Sequence, residues 1–191
     1  FIARLDTSGA FLWAVNAGGD MQNRGISIAT DSAGNSYVTG NFQGTANFGP
    51  HNLVSVGGED VFVSKVDPTG DFLWATQGGG GSGDTGYGIT LDSIGNIFVT
   101  GNFIGTASFG TAVLTSPGGY DAMVLKIDND GNWLGAARAG GVNDCYGYSV
   151  AVDGNDNVYT VGNFLGTADF GGTILTSAAS WEVFLAKNLL Q

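Results

Sequence analysis

Arg4, Lys65, Lys126 and Lys187 stand 61 residues apart and make up four of the six basic residues in a 191-residue chain. A row of cations at a fixed spacing has two chemical uses: each can satisfy a carboxylate inside the protein, or together they can face an anionic ligand. They alternate with Leu5, Val66 and Ile127, which point the other way along the same segments. Repeated structural ion pairs to an Asp of the same or the next repeat are therefore expected, or stems that cover apolar surface and keep the charged head in water. Asn41, Asn102 and Asn163 keep the same spacing and are each followed by a ring, Phe42, Phe103 or Phe164. An amide beside an aromatic face suits a polyhydroxylated ligand, which makes these six residues the candidate ligand-binding set for an extracellular polysaccharide. The structural reading takes precedence: "GNFQGTANFG", "GNFIGTASFG" and "GNFLGTADFG" are a corner that each repeat needs once, with Gly40, Gly101 and Gly162 ending a strand and the rings buried against it.

Carboxylates offer a second kind of chemistry. Asp128 and Asp130 in "DNDGN" and Asp153 in "DGNDN" superficially match calcium loops, but the distant bidentate Glu that such loops use does not follow. Side chains that accept turn amides account for them without a metal, so no cofactor is expected and calcium is the alternative. His51, the sole histidine, reads as a solvent-facing loop residue, and no nucleophile signature surrounds it. Cys145, the sole cysteine, aligns by eye with Arg24 and Thr85 and reads as an unreactive surface or semi-buried thiol. "GGGGSG" at 78 to 83 lacks the Lys and helix of a phosphate loop and reads as a turn. No catalytic residue is assigned.

The elements that must position these residues follow one period. The chain divides into repeats 1–61, 62–122 and 123–183, with an extra strand of a fourth at 184–191, all in one repeat domain. In "GYGITLD" the alternation of Tyr87, Ile89 and Leu91 reads as a strand with one buried face, and "NIFVTGNF" as its β-branched and aromatic partner. "DSIGN" and "DPTGD" supply hairpin turns, giving strands a ("GYGI"), b ("NIFV"), c ("FVSK") and d ("FLWA"). A further short strand precedes c. This is an all-β chain, with four-stranded antiparallel propeller blades as the leading architecture and a β-trefoil or β-solenoid as alternatives.

"DVFVSKVDPTGDFLWATQGGG" followed by "GYGITLDSIGNIFVTGNFIGTASFG" resembles the seven-bladed β-propeller repeat family called SBBP, and the likeness runs through all three repeats. The resemblance favours the propeller and implies an extracellular or cell-surface protein of bacteria or archaea. Three repeats are fewer than the seven blades that it implies. The chain starts with c and d and ends with a, b and c, so a processed chain or a piece of a longer one is expected, or one completed by self-association with other propeller blades.

Composition narrows the function. A formal charge of −11 repels a phosphate backbone and excludes nucleic acid as a partner. The apolar runs are too short to span a membrane. A hydrophobic content of 43% is enough for a core, and disorder is not expected. The expected function is a non-catalytic structural or interaction scaffold, or, alternatively, a carbohydrate-binding module with up to three equivalent weak sites that gain strength by multivalency, with an extracellular polysaccharide or a surface protein as the partner beside other propeller blades.

Overall fold

The computed structural model describes residues 1–187 and 190, so the end of the expected fourth-repeat strand at 188, 189 and 191 lies outside the described residues. Twenty strands and no helix are found among the described residues. The first stretch holds β1 (Ile2–Leu5), β2 (Phe11–Val15) and β3 (Gly18–Gly19). It is followed by β4 (Asn23–Thr30), β5 (Ser36–Phe42), β6 (Thr45–Phe48), β7 (His51–Val54), β8 (Asp60–Val66) and β9 (Phe72–Gly80). The same series returns as β10 (Thr85–Leu91), β11 (Ile97–Phe103), β12 (Thr106–Phe109), β13 (Ala112–Thr115), β14 (Asp121–Ile127) and β15 (Trp133–Gly141). The last stretch holds β16 (Cys145–Val152), β17 (Val158–Phe164), β18 (Thr167–Asp169), β19 (Ile174–Thr176) and β20 (Glu182–Lys187).

β4, β5, β8 and β9 form an antiparallel meander, and β10, β11, β14 and β15 repeat it. These are the expected strands a, b, c and d in order. β1 and β2 pair as c and d, and β16, β17 and β20 as a, b and c. Turn chemistry sets each reversal. Asp67 Oδ1 accepts the backbone N–H of Thr69 and of Asp71, while Gly70 takes a φ of 99° that a side chain disfavours.

The meanders stack face to face. Val61 and Val63 on β8 meet Ile89, Val99, Met123 and Leu125 of the following sheet, all 7% exposed or less. β4, β10 and β16 run side by side at one edge of the stack. Close approach there needs glycine: a Cβ on Gly86 would lie 2.4 Å from Thr39 Oγ1, and one on Gly147 2.3 Å from Thr100 Oγ1. Antiparallel four-stranded meanders stacked in this way are propeller-type repeats.

Three details depart from the expected pattern. The recurrent Gly-Asn-Phe does not end strand b, which runs on through Phe42, Phe103 and Phe164. Gly101 faces a bulge between Gly86 and Gly88, where a Cβ would stand 1.9 Å from the Thr85 carbonyl oxygen, and Gly40 and Gly162 are confined alike. The rest of the ten residues is the first strand of a hairpin, β6–β7, β12–β13 or β18–β19, whose first strand pairs with the preceding sheet's outer strand at Gly18–Gly19, Gly79–Gly80 or Gly140–Gly141. The first half of "GGGGSG" is strand rather than turn: Gly78, Gly79 and Gly80 end β9 and leave room for β12 to approach, and the reversal falls on residues 81–83.

Two of the outer strands, β2 and β9, are also latched to the next sheet, while β15 has Gly135 at the equivalent position. Trp13 Nε1 donates to the Pro68 carbonyl at 2.9 Å, and Trp74 Nε1 to the equivalent Asn129 carbonyl at 3.0 Å.

Candidate functional site

Among the described residues, the repeated cations form none of the expected ion pairs. Strand pairing sets Lys65 opposite Tyr37, Lys126 opposite Phe98 and Lys187 opposite Tyr159, and each Nζ lies over that ring, 5.2, 5.2 and 5.4 Å from the centroid. A cation over a ring face is held by the ring quadrupole without a carboxylate. Lys65, which is buried, also donates to Asn129 Oδ1 at 2.7 Å, and Arg4 donates to the Pro68 carbonyl at 2.9 Å. The salt bridge among the described residues lies elsewhere, between Arg138 and Asp121 at 2.6 Å.

Phe42, Phe103 and Phe164 are 0, 0 and 2% exposed, packed in the core, and cannot serve as stacking platforms. Their neighbours Asn41 and Asn102 are buried and Asn163 half-buried. The Oδ1 atoms of all three have no hydrogen-bond partner within the protein. Asn102 alone of the three lines the cavity described below.

Two of the three calcium candidates, Asp128 and Asp153, are engaged as turn caps, and Asp130 contributes its backbone N–H to the first. Asp128 Oδ1 accepts the N–H of Asp130 and Asn132, and its Oδ2 accepts the Asn132 amide. Asp153 accepts from Asn155, Asn157 and Tyr159, and the Asn157 bonds foremost hold its carboxyl down at about 2. No group of three or more His, Cys, Asp or Glu side chains suited to a metal occurs among the described residues. Cys145 is buried rather than at the surface, and burial pushes its thiol up to about 12. It pairs with Phe164 as Asn23 pairs with Phe42, so its equivalents are Asn23 and Asp84, not Arg24 and Thr85. His51 lies on β7, half-buried, with Nε2 3.2 Å from the Phe72 carbonyl oxygen, rather than in a loop.

The most distinctive polar cavity, about 250 Å³, opens where three successive sheets meet. Arg24 comes from β4, Glu59 from the approach to β8, Thr85 and Tyr87 from the start of β10, Asn102 from the end of β11, Tyr120 from the approach to β14 and Tyr146 from β16. The bulge at Gly86 and Gly88 turns Tyr87 away from the face that Ile89 buries, and its counterpart at Gly147 and Ser149 leaves Tyr148 47% exposed. Tyr146 stacks on Tyr148 with centroids 6.1 Å apart and planes 7° apart, and touches Tyr120 and Trp181 at 5.6 Å each. Tyr87 meets Tyr148 at 5.9 Å. Burial, followed by the Asp144 charge, pushes the Tyr146 phenol up to about 12, and burial raises Tyr87 too, so both stay neutral donors and acceptors at neutral pH. Gln22, with its amide nitrogen toward Glu59 Oε1 at 2.9 Å and its oxygen toward Arg24 Nε at 3.0 Å, ties the two charged walls together.

Sequence periodicity passes over this cavity because its walls fall where the copies differ. Positions 24, 85 and 146 carry Arg, Thr and Tyr, and positions 59, 120 and 181 carry Glu, Tyr and Trp. Variation inside an otherwise exact period was the available signal.

Beside the outer strand, Asp60 and Asp84 are both fully buried and converge on Gly79, whose added Cβ would lie 2.6 Å from Asp60 Oδ1 and 2.8 Å from Asp84 Oδ2. Neither Oδ1 has a partner within the protein. The next repeat solves the same problem with Arg138 on Asp121 and with the neutral Cys145.

Comparison with known proteins agrees with this architecture. The chain is 29% identical over 201 residues to the uncharacterized WD repeat-containing protein L264 of Acanthamoeba polyphaga mimivirus, over 86% of this chain and 14% of that protein. It is 30% identical over 136 residues to the regulatory protein FlaEY of Caulobacter vibrioides, over 69% of this chain and 14% of that protein. The chain thus spans 14% of the length of either relative. Residues 73–102, which run from the outer strand of one sheet through the first two strands of the next, match the family model described as SBBP, beta-propeller repeat. That segment therefore carries an SBBP-type beta-propeller repeat.

Proposed function

We propose that the chain is part of a non-catalytic interaction scaffold at the cell surface or outside the cell, its stack continued by further propeller-type repeats from a longer parent chain or a second copy. One observation carries this reading. Val183 and Leu185 on β20 are 77 and 72% exposed, whereas their equivalents Val61 and Val63 on β8, and Ala122 and Val124 on β14, are at most 1% exposed because a following sheet covers them. Apolar side chains that are exposed in one copy and buried in the others mark a face built for a neighbour. At the other end Phe1 and Ile28 are 94 and 55% exposed, while their equivalents Phe62 and Ile89 are 4 and 7%. Two copies joined through such faces make about six blades, within the usual range for propellers.

Light scattering of the 19.5 kDa chain, with and without a calcium chelator, tests completion by a second copy. A mass near twice that of the chain, returned to one chain by Leu185→Asp, is expected. A monomeric wild type refutes the second copy and leaves the longer parent.

A second reading, a carbohydrate-binding module, is favoured by the aromatic and amide cavity, since neutral phenols and amides suit hydroxylated ligands. A glycan array probed with the whole chain tests it, and silence across the array removes it.

A further inference from the structure

We propose that the cavity between the three sheets is a single binding site for one neutral, hydroxyl-rich sugar ring. The proposal rests on the carbohydrate-binding reading and changes it from three equivalent sites to one. The enclosed aromatic walls need three sheets: Tyr87 and Tyr120 correspond in the first repeat to Ile26 and Glu59, and their third-repeat counterparts Tyr148 and Trp181, 47 and 43% exposed, have no further sheet among the described residues to enclose them. Asn102 lines the cavity and is 3% exposed, with an Oδ1 that has no partner within the protein, so a ligand hydroxyl can donate to it. Asn41 and Asn163 do not line it.

Charge selects the ligand class. Glu59 in the wall, Asp144 behind Tyr146 and a chain charge of −11 repel an anionic sugar. Arg24 in the same wall repels a cation, which the cluster of rings would otherwise attract. A neutral ring meets neither penalty: its apolar face packs on a tyrosine, and its hydroxyls find Asn102, Glu59 and Arg24. A volume of about 250 Å³ lies below the ~300–1,000 Å³ typical of ligand pockets, which suits one ring rather than an oligosaccharide.

The test titrates the full chain with the methyl glycosides of glucose, galactose, mannose and N-acetylglucosamine, read by saturation-transfer NMR and calorimetry. One of them is expected to bind with one site per chain. Tyr146→Ala and Asn102→Ala should weaken it at least about tenfold. Arg24→Ala, an exposed wall residue, and Tyr146→Phe, which keeps the ring, should weaken it less, and Asn163→Ala not at all. If binding is unchanged in Tyr146→Ala and Arg24→Ala, or shows three equal sites, this site is refuted while the carbohydrate-binding reading stands. If none of the four glycosides binds, and the array is silent too, both fall.

Discussion

Replacing Asp84 by Asn removes a charge that the fold does not compensate. Asp84 is fully buried, its Oδ2 accepts the Gly80 N–H at 2.7 Å, and Asp60 is close enough to repel it. Burial first, opposed by the Gly80 hydrogen bond and then reinforced by Asp60, pushes its carboxyl up from 3.8 to about 7. The folded protein therefore keeps a proton that the unfolded chain releases at lower pH. Stability is undiminished by this group below 3.8 and falls as the pH rises through about 7. At 1.36 kcal/mol per pH unit the loss is about 4 kcal/mol. Asp84→Asn abolishes it, and the first repeat already carries an amide, Asn23, at this position. Urea unfolding followed by circular dichroism between about pH 4.5 and 8.5 should find the variant close to wild type at the acid end. At the alkaline end it should be more stable by up to about 4 kcal/mol, or roughly 8–16 °C in Tm. A difference between the two proteins that does not change with pH would refute the argument that Asp84 is uncompensated.

Other outcomes follow from the junctions. Trp74→Phe keeps most of the ring but loses the bond to the Asn129 carbonyl, which should cost about 1 kcal/mol, seen as a Tm lower by roughly 2–4 °C. Gly101→Ala places a methyl on the Thr85 carbonyl oxygen and should cost about 3 kcal/mol or more, whereas Gly154→Ala, with nothing within 4 Å, should change stability by less than about 1 kcal/mol. Chemical denaturation of the pair reads both. Lys126→Met keeps the stem over Phe98 and removes only the charge; a loss of about 0.5–1 kcal/mol by thermal unfolding is expected for a ring contact, and no loss would mean that the stem alone matters.

The period and the four main strands were legible because they rest on local signals: alternation along β10, β-branched and aromatic content in β11, and an Asp followed by Gly at each turn. What escaped depends on contacts between distant positions. Gly-Asn-Phe reads as a corner because glycine usually ends strands, yet Gly101 is required by the bulge across from it, and the strand continues. The row of cations suggested carboxylate partners, but the partner is the aromatic residue directly across the b–c pair, which only the register reveals. The burial of Phe103, by contrast, was expected from the structural reading of its repeated stretch, and the ring is 0% exposed. The cavity draws on three repeats at once, and no single repeat contains its pattern.

The hairpin of each repeat completes its pairing on the outer strand of the repeat before it, so the unit of inheritance and the unit of folding are out of phase. Gain or loss of a whole 61-residue period re-creates the same kind of junction from sequence that already fits. Gain or loss of any other length sets a hairpin against a strand end that lacks its glycines. Length variation among descendants of this chain should therefore come in whole periods, with drift concentrated where copies meet different neighbours, as at Arg24, Thr85 and Tyr146.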